Sequence, residues 1–218
     1  MAKKAESTLK NMLLSLTVIA LVAAAVLAAL NSVTKDTIEQ NEVKKENEAI
    51  ASVLKHVDEN GKVIEEITFD PSKIVKDTVY LCEKNEEGKY TDSEVLNLAY
   101  TADGEYAGAA VKVFDPNGFG GFFQMMVGFD SEGNVYGYSI LKTNETPGLG
   151  AKADQWFQKG NKGDIIGKSP ATESDSTMRV KKDKGNVDAI TGSTITSRAF
   201  LRCINKAYKA LPQNEKAQ

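Results

Sequence analysis

Hydroxyl side chains are concentrated in Asp188-Ala189-Ile190-Thr191-Gly192-Ser193-Thr194-Ile195-Thr196-Ser197, immediately ahead of an apolar-periodic segment. From Arg198 onward, Phe200, Ile204, Ala207, Tyr208 and Leu211 recur at the spacing of one helix face, and Pro212 closes the run. This spacing predicts a helix with the hydroxyl cluster at its N-terminus. The first backbone N–H groups of a helix lack intrahelical partners and the macrodipole is positive there, so a phosphate is favoured. Gly192 keeps the approach uncrowded. A plainer reading of the same residues is that Thr196 or Ser197 caps the helix.

A second stretch, Glu145-Thr146-Pro147-Gly148-Leu149-Gly150-Ala151-Lys152, predicts a tight loop. Pro147 fixes one backbone torsion while Gly148 and Gly150 admit positive φ, which lets main chain pass close to a flat ligand. An ordinary turn from strand to helix is the alternative. Trp156 and Phe157 fall in a short helix beyond it, where core packing is the expectation for both. Pro116–Gly121 is glycine-dense, but it lacks the Lys-Ser/Thr ending and following helix of a phosphate cradle and reads as a turn between strands.

The elements that must position these stretches are legible in outline. Met12 to Leu30 carries no charge over 19 residues, a helix of roughly 28 Å against a hydrocarbon core of about 30 Å. The run has no clean cleavage site and is longer than a signal-peptide core, so a membrane span is expected. Lys3, Lys4 and Lys10 precede it and mixed charges follow, which places residues 1–11 in the cytoplasm and the main domain outside it. Residues 31–54 read as a polar helix that docks on the domain from about Ile50. Val79 to Cys82, Glu105 to Phe114, Phe122 to Phe129 and Val135 to Leu141 are candidate strands, with turns at Asp103-Gly104 and at residues 130–134. The last two should form an antiparallel hairpin. The prediction is an α+β fold, with an antiparallel sheet packed with helices over residues 55–212 and a tail at 213–218.

Net charge is only −3 and Lys and Glu are mixed throughout, so nucleic acid is not an expected partner. Cys82 and Cys203 have no C-x-x-C spacing and read as small buried hydrophobes, with a disulfide between them as the alternative. His56, the single histidine, has no companion ligands near it in sequence, and no metal site is expected.

Thr191-Gly192-Ser193-Thr194 resembles the Ser/Thr-Gly-Ala/Ser-Thr flavinylation motif of the FMN-binding family to which RnfG of the Rnf complex and NqrC of the sodium-pumping NADH:quinone reductase belong. Thr191 stands where Ser is common and Ser193 where Ala is common, and both keep the side chains short. Glu145 to Gly150 resembles the family's second signature, Glu-Thr-Pro-Gly-Leu-Gly, at all six positions. The resemblance covers nearly the whole chain, with its specificity in these two stretches. It implies FMN joined through its phosphate to Thr194, beside Thr191, Gly192 and Ser193. It also implies that Glu145, Thr146, Pro147, Gly148, Leu149 and Gly150 wall one side of the isoalloxazine site. Asp188, six residues ahead of Thr194, is assigned either to orienting the loop or to helping a transferase position magnesium-bound FAD.

What the resemblance implies for function is an RnfG-like protein. It implies a single-pass bacterial inner-membrane protein whose periplasmic domain would relay electrons in an ion-translocating ferredoxin:NAD⁺ oxidoreductase complex. Ions would move through multi-span partner proteins, since one uncharged helix offers no path. A separate Mg²⁺-dependent flavin transferase would attach the cofactor after export, and no catalytic residues or independent turnover are expected of this chain. Three alternatives remain at this point: an NqrC-like component of the sodium-pumping quinone reductase, a flavinylated reductase of a small extracytoplasmic acceptor, and a membrane-anchored binding module without cofactor. No Rossmann fingerprint supports a stand-alone dehydrogenase.

Overall fold

The computed structural model describes residues 9–57, 63–80, 93–173 and 177–212. The chain divides into two compact units, Met1–Lys45 and Glu46–Gln218. Helix α1 covers Leu9–Val53. Within the first unit its Met12–Leu30 stretch is apolar all round and exposed, and it is long enough to cross a membrane. The hydroxyls of Ser15 and Thr17 donate to the carbonyls of Met12, Leu13 and Leu14, so these polar groups are satisfied inside the helix itself.

The second unit is built on a five-stranded antiparallel meander. Its strands are β3 (Val75–Tyr80), β4 (Ser93–Tyr100), β5 (Tyr106–Gly118), β6 (Gly121–Asp130) and β7 (Val135–Thr143). Two short strands, β1 (Lys55–Val57) and β2 (Val63–Glu66), pair separately. Helix α2 (Ala153–Trp156) and helix α3 (Thr194–Lys209) follow the sheet. Side chains alternate across a strand, and both faces of this sheet are covered. Ala109, Val111, Val113, Met125, Val127 and Phe129 join the core under α3, whereas Ala110 and Met126 join a smaller core with Ala49, Ile50, Val53 and Leu54.

Glycine makes the second contact possible. Gly128 and Gly137 are paired across β6 and β7, and a Cβ on them would lie 2.1 and 2.8 Å from the Val53 carbonyl oxygen. On the other face Phe200 of α3 stacks on Phe157 at 4.1 Å and meets Tyr138 edge-on at 4.8 Å. Arg202 forks onto Asp115 of β5 at 2.7 and 2.9 Å and donates to the Asn117 carbonyl at 3.1 Å. Burial alone raises the Asp115 carboxyl, but the Arg202 and Asn117 hydrogen bonds outweigh it and hold the group below its ordinary value. Helix α3 is thereby fixed over the end of the sheet where β5 turns into β6.

Several expectations need correction. Strand β4 was not foreseen. Strand β3 begins at Val75, earlier than the expected Val79, and Cys82 lies outside the described residues, as does the proposed pairing with Cys203. Cys203 is a free, buried thiol in α3, and burial raises its pKa. His56 falls in β1. Helix α3 starts at Thr194, four residues ahead of Arg198, so Thr194 to Ser197 form its first turn and do not precede it.

Candidate functional site

The two sequence stretches meet at the β5–β6 turn. Strand β5 ends at Gly118 and pairs with Gly121, which leaves Phe119-Gly120 as the turn. Strand β7 runs beside β6 and delivers the chain to Asn144 and Glu145. There Thr146-Pro147-Gly148-Leu149 closes a β-turn: Leu149 N–H donates to the Thr146 carbonyl at 3.1 Å, and Gly148 has φ of +77°. Proline second and a positive-φ glycine third are what a type II turn demands.

Glu145 is the joint between the two stretches. Its residue surface is 8% exposed. One carboxylate oxygen accepts from the Thr196 hydroxyl at 2.8 Å and the other from the Gly120 N–H at 3.2 Å. A Cβ at Gly150 would stand 2.2 Å from the first oxygen, and one at Gly118 would stand 2.9 Å from the second. Glycine at these positions leaves the space that the carboxylate fills.

A matching turn precedes α3. Ser193 N–H donates to the Ile190 carbonyl at 3.0 Å and Gly192 has φ of +79°. Ser197 locks this turn to the helix, its Oγ accepting from Ile190 N–H and donating to the Ser193 carbonyl, both at 2.9 Å. The position that a Cβ on Gly192 would take is 3.5 Å from Leu149, so the two turns touch. Trp156 adds a second tie, donating its indole N–H to the Asp188 carbonyl at 2.8 Å. Phe157 is fully buried, as core packing requires, while Trp156 is half-buried at the site.

The hydroxyls of the cluster are therefore in different states. Thr196 and Ser197 are fully buried and spent on Glu145, Ile190 and Ser193. Ser193 occupies the N-cap position but makes no side-chain capping bond, so the expected alternative of Thr196 or Ser197 as cap does not apply. Thr191 is exposed on the turn. Thr194 is half-buried at the first helical position, its Oγ 3.3 Å from the Lys182 ammonium. Asp188 accepts from Lys181 at 2.7 Å. Apolar side chains stand exposed around this end: Phe119, Leu149 and Ile195. An uncapped helix N-terminus, an accessible hydroxyl, an adjacent cation and exposed apolar side chains are what a phosphorylated aromatic cofactor needs.

Residues 118–209 match the family model described as FMN-binding domain, and residues 1–53 match that described as RnfG N-terminal region. A relative from Aliivibrio fischeri (strain ATCC 700601 / ES114), named as the G component of an ion-translocating oxidoreductase complex, is 30% identical over 201 residues, 92% of this chain and 89% of the relative. The chain belongs to the RnfG family of ion-translocating oxidoreductase complexes. The relative of the same name from Shewanella baltica (strain OS223) is 30% identical over 92% of this chain and 88% of its own length. A relative from Acetobacterium woodii, named as the G component of a Na⁺-translocating ferredoxin:NAD⁺ oxidoreductase complex, is 34% identical over 90% of this chain and 88% of its own.

The FMN-binding match of this RnfG family member runs from the β5–β6 turn to the end of α3, so every contact of Glu145 and Thr194 described above falls inside it. Four participants were not singled out in the sequence for the roles they take: the Gly120 N–H, the Thr196 hydroxyl as a donor to Glu145, the Trp156 indole and Lys182. The glycine density of Pro116–Gly121 was a usable signal for the first. Lys182 had none, because its Lys-Lys-Asp-Lys surroundings look like any solvated loop.

Proposed function

We propose that this chain is the membrane-anchored electron-transfer component of an Rnf-type ion-translocating ferredoxin:NAD⁺ oxidoreductase complex, with FMN held covalently through its phosphate on Thr194. The relatives named above carry the ion-translocating complex in their names, and the one from Acetobacterium woodii specifies ferredoxin and NAD⁺. The observation that carries the Thr194 assignment is the division of labour among the hydroxyls. Thr196 and Ser197 are buried and engaged, whereas Thr194 faces outward beside a cation at an uncapped helix N-terminus.

A bound flavin exchanges electrons singly or in pairs, which suits a relay between carriers of both kinds. The chain supplies its position. Thr191, Gly192 and Ser193 form the turn that presents Thr194, and Glu145 to Gly150 holds Leu149 against that turn, where a flat ring would lie. Asp188 supports this by fixing Lys181 through its carboxylate and Trp156 through its carbonyl. Helix α1 anchors the chain in the bacterial inner membrane in a single pass. Lys3, Lys4 and Lys10 favour a cytoplasmic N-terminus and a periplasmic FMN domain over residues 55–212. Its partners are the other membrane proteins of the complex and, during maturation, a flavin transferase.

The test is full-length protein co-expressed with a flavin transferase, denatured, and followed by in-gel fluorescence and intact mass. Fluorescence is expected to persist on the wild-type chain and to vanish in a folded Thr194→Val variant. Pigment released on denaturation, or found on another side chain, refutes the assignment. Mild-detergent purification should co-purify the other proteins of the complex.

A further inference from the structure

Lys182 lies outside both signature stretches, yet its ammonium donates to the Thr194 hydroxyl at 3.3 Å. The loop that carries it is held from several sides. Lys181–Asp183 forms one 3₁₀ turn that ends with Lys184 in the left-handed region, at φ of +64°. A parallel bridge joins Val180 to Val187, and both are buried. Gly185 sits so close to Arg179 that a Cβ would be 2.0 Å from its carbonyl oxygen. Asp183 receives a two-pronged bond from Arg198 in the first turns of α3, at 2.6 and 2.7 Å. That bond holds the Asp183 carboxyl below its ordinary range and raises Arg198, so the pair stays ionised at neutral pH. The neighbouring cation is committed elsewhere, since Lys181 is paired with Asp188.

We propose that Lys182 is the phosphate-binding cation of the attachment site, holding the FMN phosphate against Thr194 and speeding formation of the bond. This rests on the reading of Thr194 as acceptor. In the transfer, the Thr194 Oγ–H bond breaks and an Oγ–P bond forms at the FMN phosphorus of FAD. The P–O bond to the AMP half breaks, AMP leaves with the electron pair, and the hydroxyl proton passes to a base of the transferase or to water. Lys182 keeps its proton throughout. Its charge faces the phosphoryl oxygens as they crowd Oγ, and afterwards it neutralises the diester anion. Charge-assisted hydrogen bonds of this kind are about twice as strong as neutral ones. The N–H groups of the first turn of α3 supply the rest of the cradle.

The experiment uses purified full-length protein in detergent, a flavin transferase, Mg²⁺ and FAD, with loading followed by intact mass. Lys182→Met is expected to slow the initial rate roughly tenfold or more. Lys182→Arg should restore most of it, and Lys184→Met, which removes a like charge from the same loop, should leave it unchanged. A second readout needs no transferase: in fully loaded protein the ³¹P resonance of the diester should shift in Lys182→Met and not in Lys184→Met. Equal rates for wild type and Lys182→Met, equal slowing by both methionine variants, failure of arginine to rescue, or an unmoved ³¹P resonance would each overturn the proposal. A wild-type chain that acquires no flavin on Thr194 strikes down the acceptor reading itself, a result distinct from the others.

Discussion

Replacing Thr196 by Val tests whether Glu145 joins the two halves of the site. The substitution keeps the shape and β-branching of the side chain and removes the hydroxyl that donates to Glu145 at 2.8 Å. The carboxylate, on a residue only 8% exposed, then retains the Gly120 N–H at 3.2 Å as its donor. Gly150 closes off relaxation toward the loop side, because there is no room between its Cα and the carboxylate. Hydrogen bonds to charged groups contribute about 1.5–3 kcal/mol, and a chain of this size loses about 2–4 °C of Tm per kcal/mol, so a fall of about 3–12 °C is expected. The assay is thermal unfolding of the full-length protein in detergent, followed by circular dichroism, with Thr196→Ser as the variant that keeps the hydroxyl. A cycle that adds Glu145→Gln should show coupling, since one change removes the donor and the other the charge of the same contact. A Thr196→Val midpoint within about 1 °C of wild type, or additive effects in the cycle, would refute the joint.

Acid titration should expose the Asp115–Arg202 pair. Because the folded Asp115 carboxyl is held below its ordinary value, the stability it contributes is full above the unfolded value of about 3.9. It is lost as pH falls through the lower, folded value. The difference in unfolding free energy between wild type and Asp115→Asn should therefore be constant at neutral pH and shrink only below about pH 4; a difference already closing near pH 6 would contradict this. Gly128→Ala drives a Cβ to within 2.1 Å of the Val53 carbonyl oxygen, and overpacking of that kind costs about 1–3 kcal/mol. Its thermal midpoint should fall, and an unchanged midpoint would mean that α1 does not close onto β6 as described.

Legibility in the sequence followed the reach of each physical signal. The turn at Pro147-Gly148 could be read because positive φ leaves few residue choices, and Gly148 adopts it. Gly150, expected to do the same, does not, and is bare instead to make room for the Glu145 carboxylate, while the positive φ of Gly192 was not anticipated. Strands β5 to β7 could be read because they are rich in Val, Tyr and Phe and residues 130–134 carry turn chemistry. Strand β4 could not, since it buries a polar residue on each face, Glu94 on one and Asn97 on the other, which breaks the apolar pattern. The start of α3 was placed late because Thr194, Ile195 and Thr196 are β-branched and Ser197 favours caps, all weak helix formers. Tertiary contacts override that preference: Thr196 and Ser197 satisfy their hydroxyls on Glu145, Ile190 and Ser193. Lys182 was beyond sequence reading, because only the Val180–Val187 bridge and the Asp183–Arg198 pair bring it to Thr194.

The same contacts explain why the motif residues alone would not make the site. Thr194 can present its hydroxyl only because Ser197 ties the preceding turn down and Thr196 is turned inward, and Thr196 turns inward only because Glu145 waits there for its proton. Glu145 in turn needs Gly118, Gly120 and Gly150 to be bare. One carboxylate thus couples three loops that are distant in sequence, and Arg202 and Phe200 fix the helix beneath them. A phosphate on Thr194 and a ring lying against Leu149 would then be set at one separation by the Glu145–Thr196 bond. That bond, more than the chemistry of any single side chain, is what would fix where the proposed flavin sits on this chain.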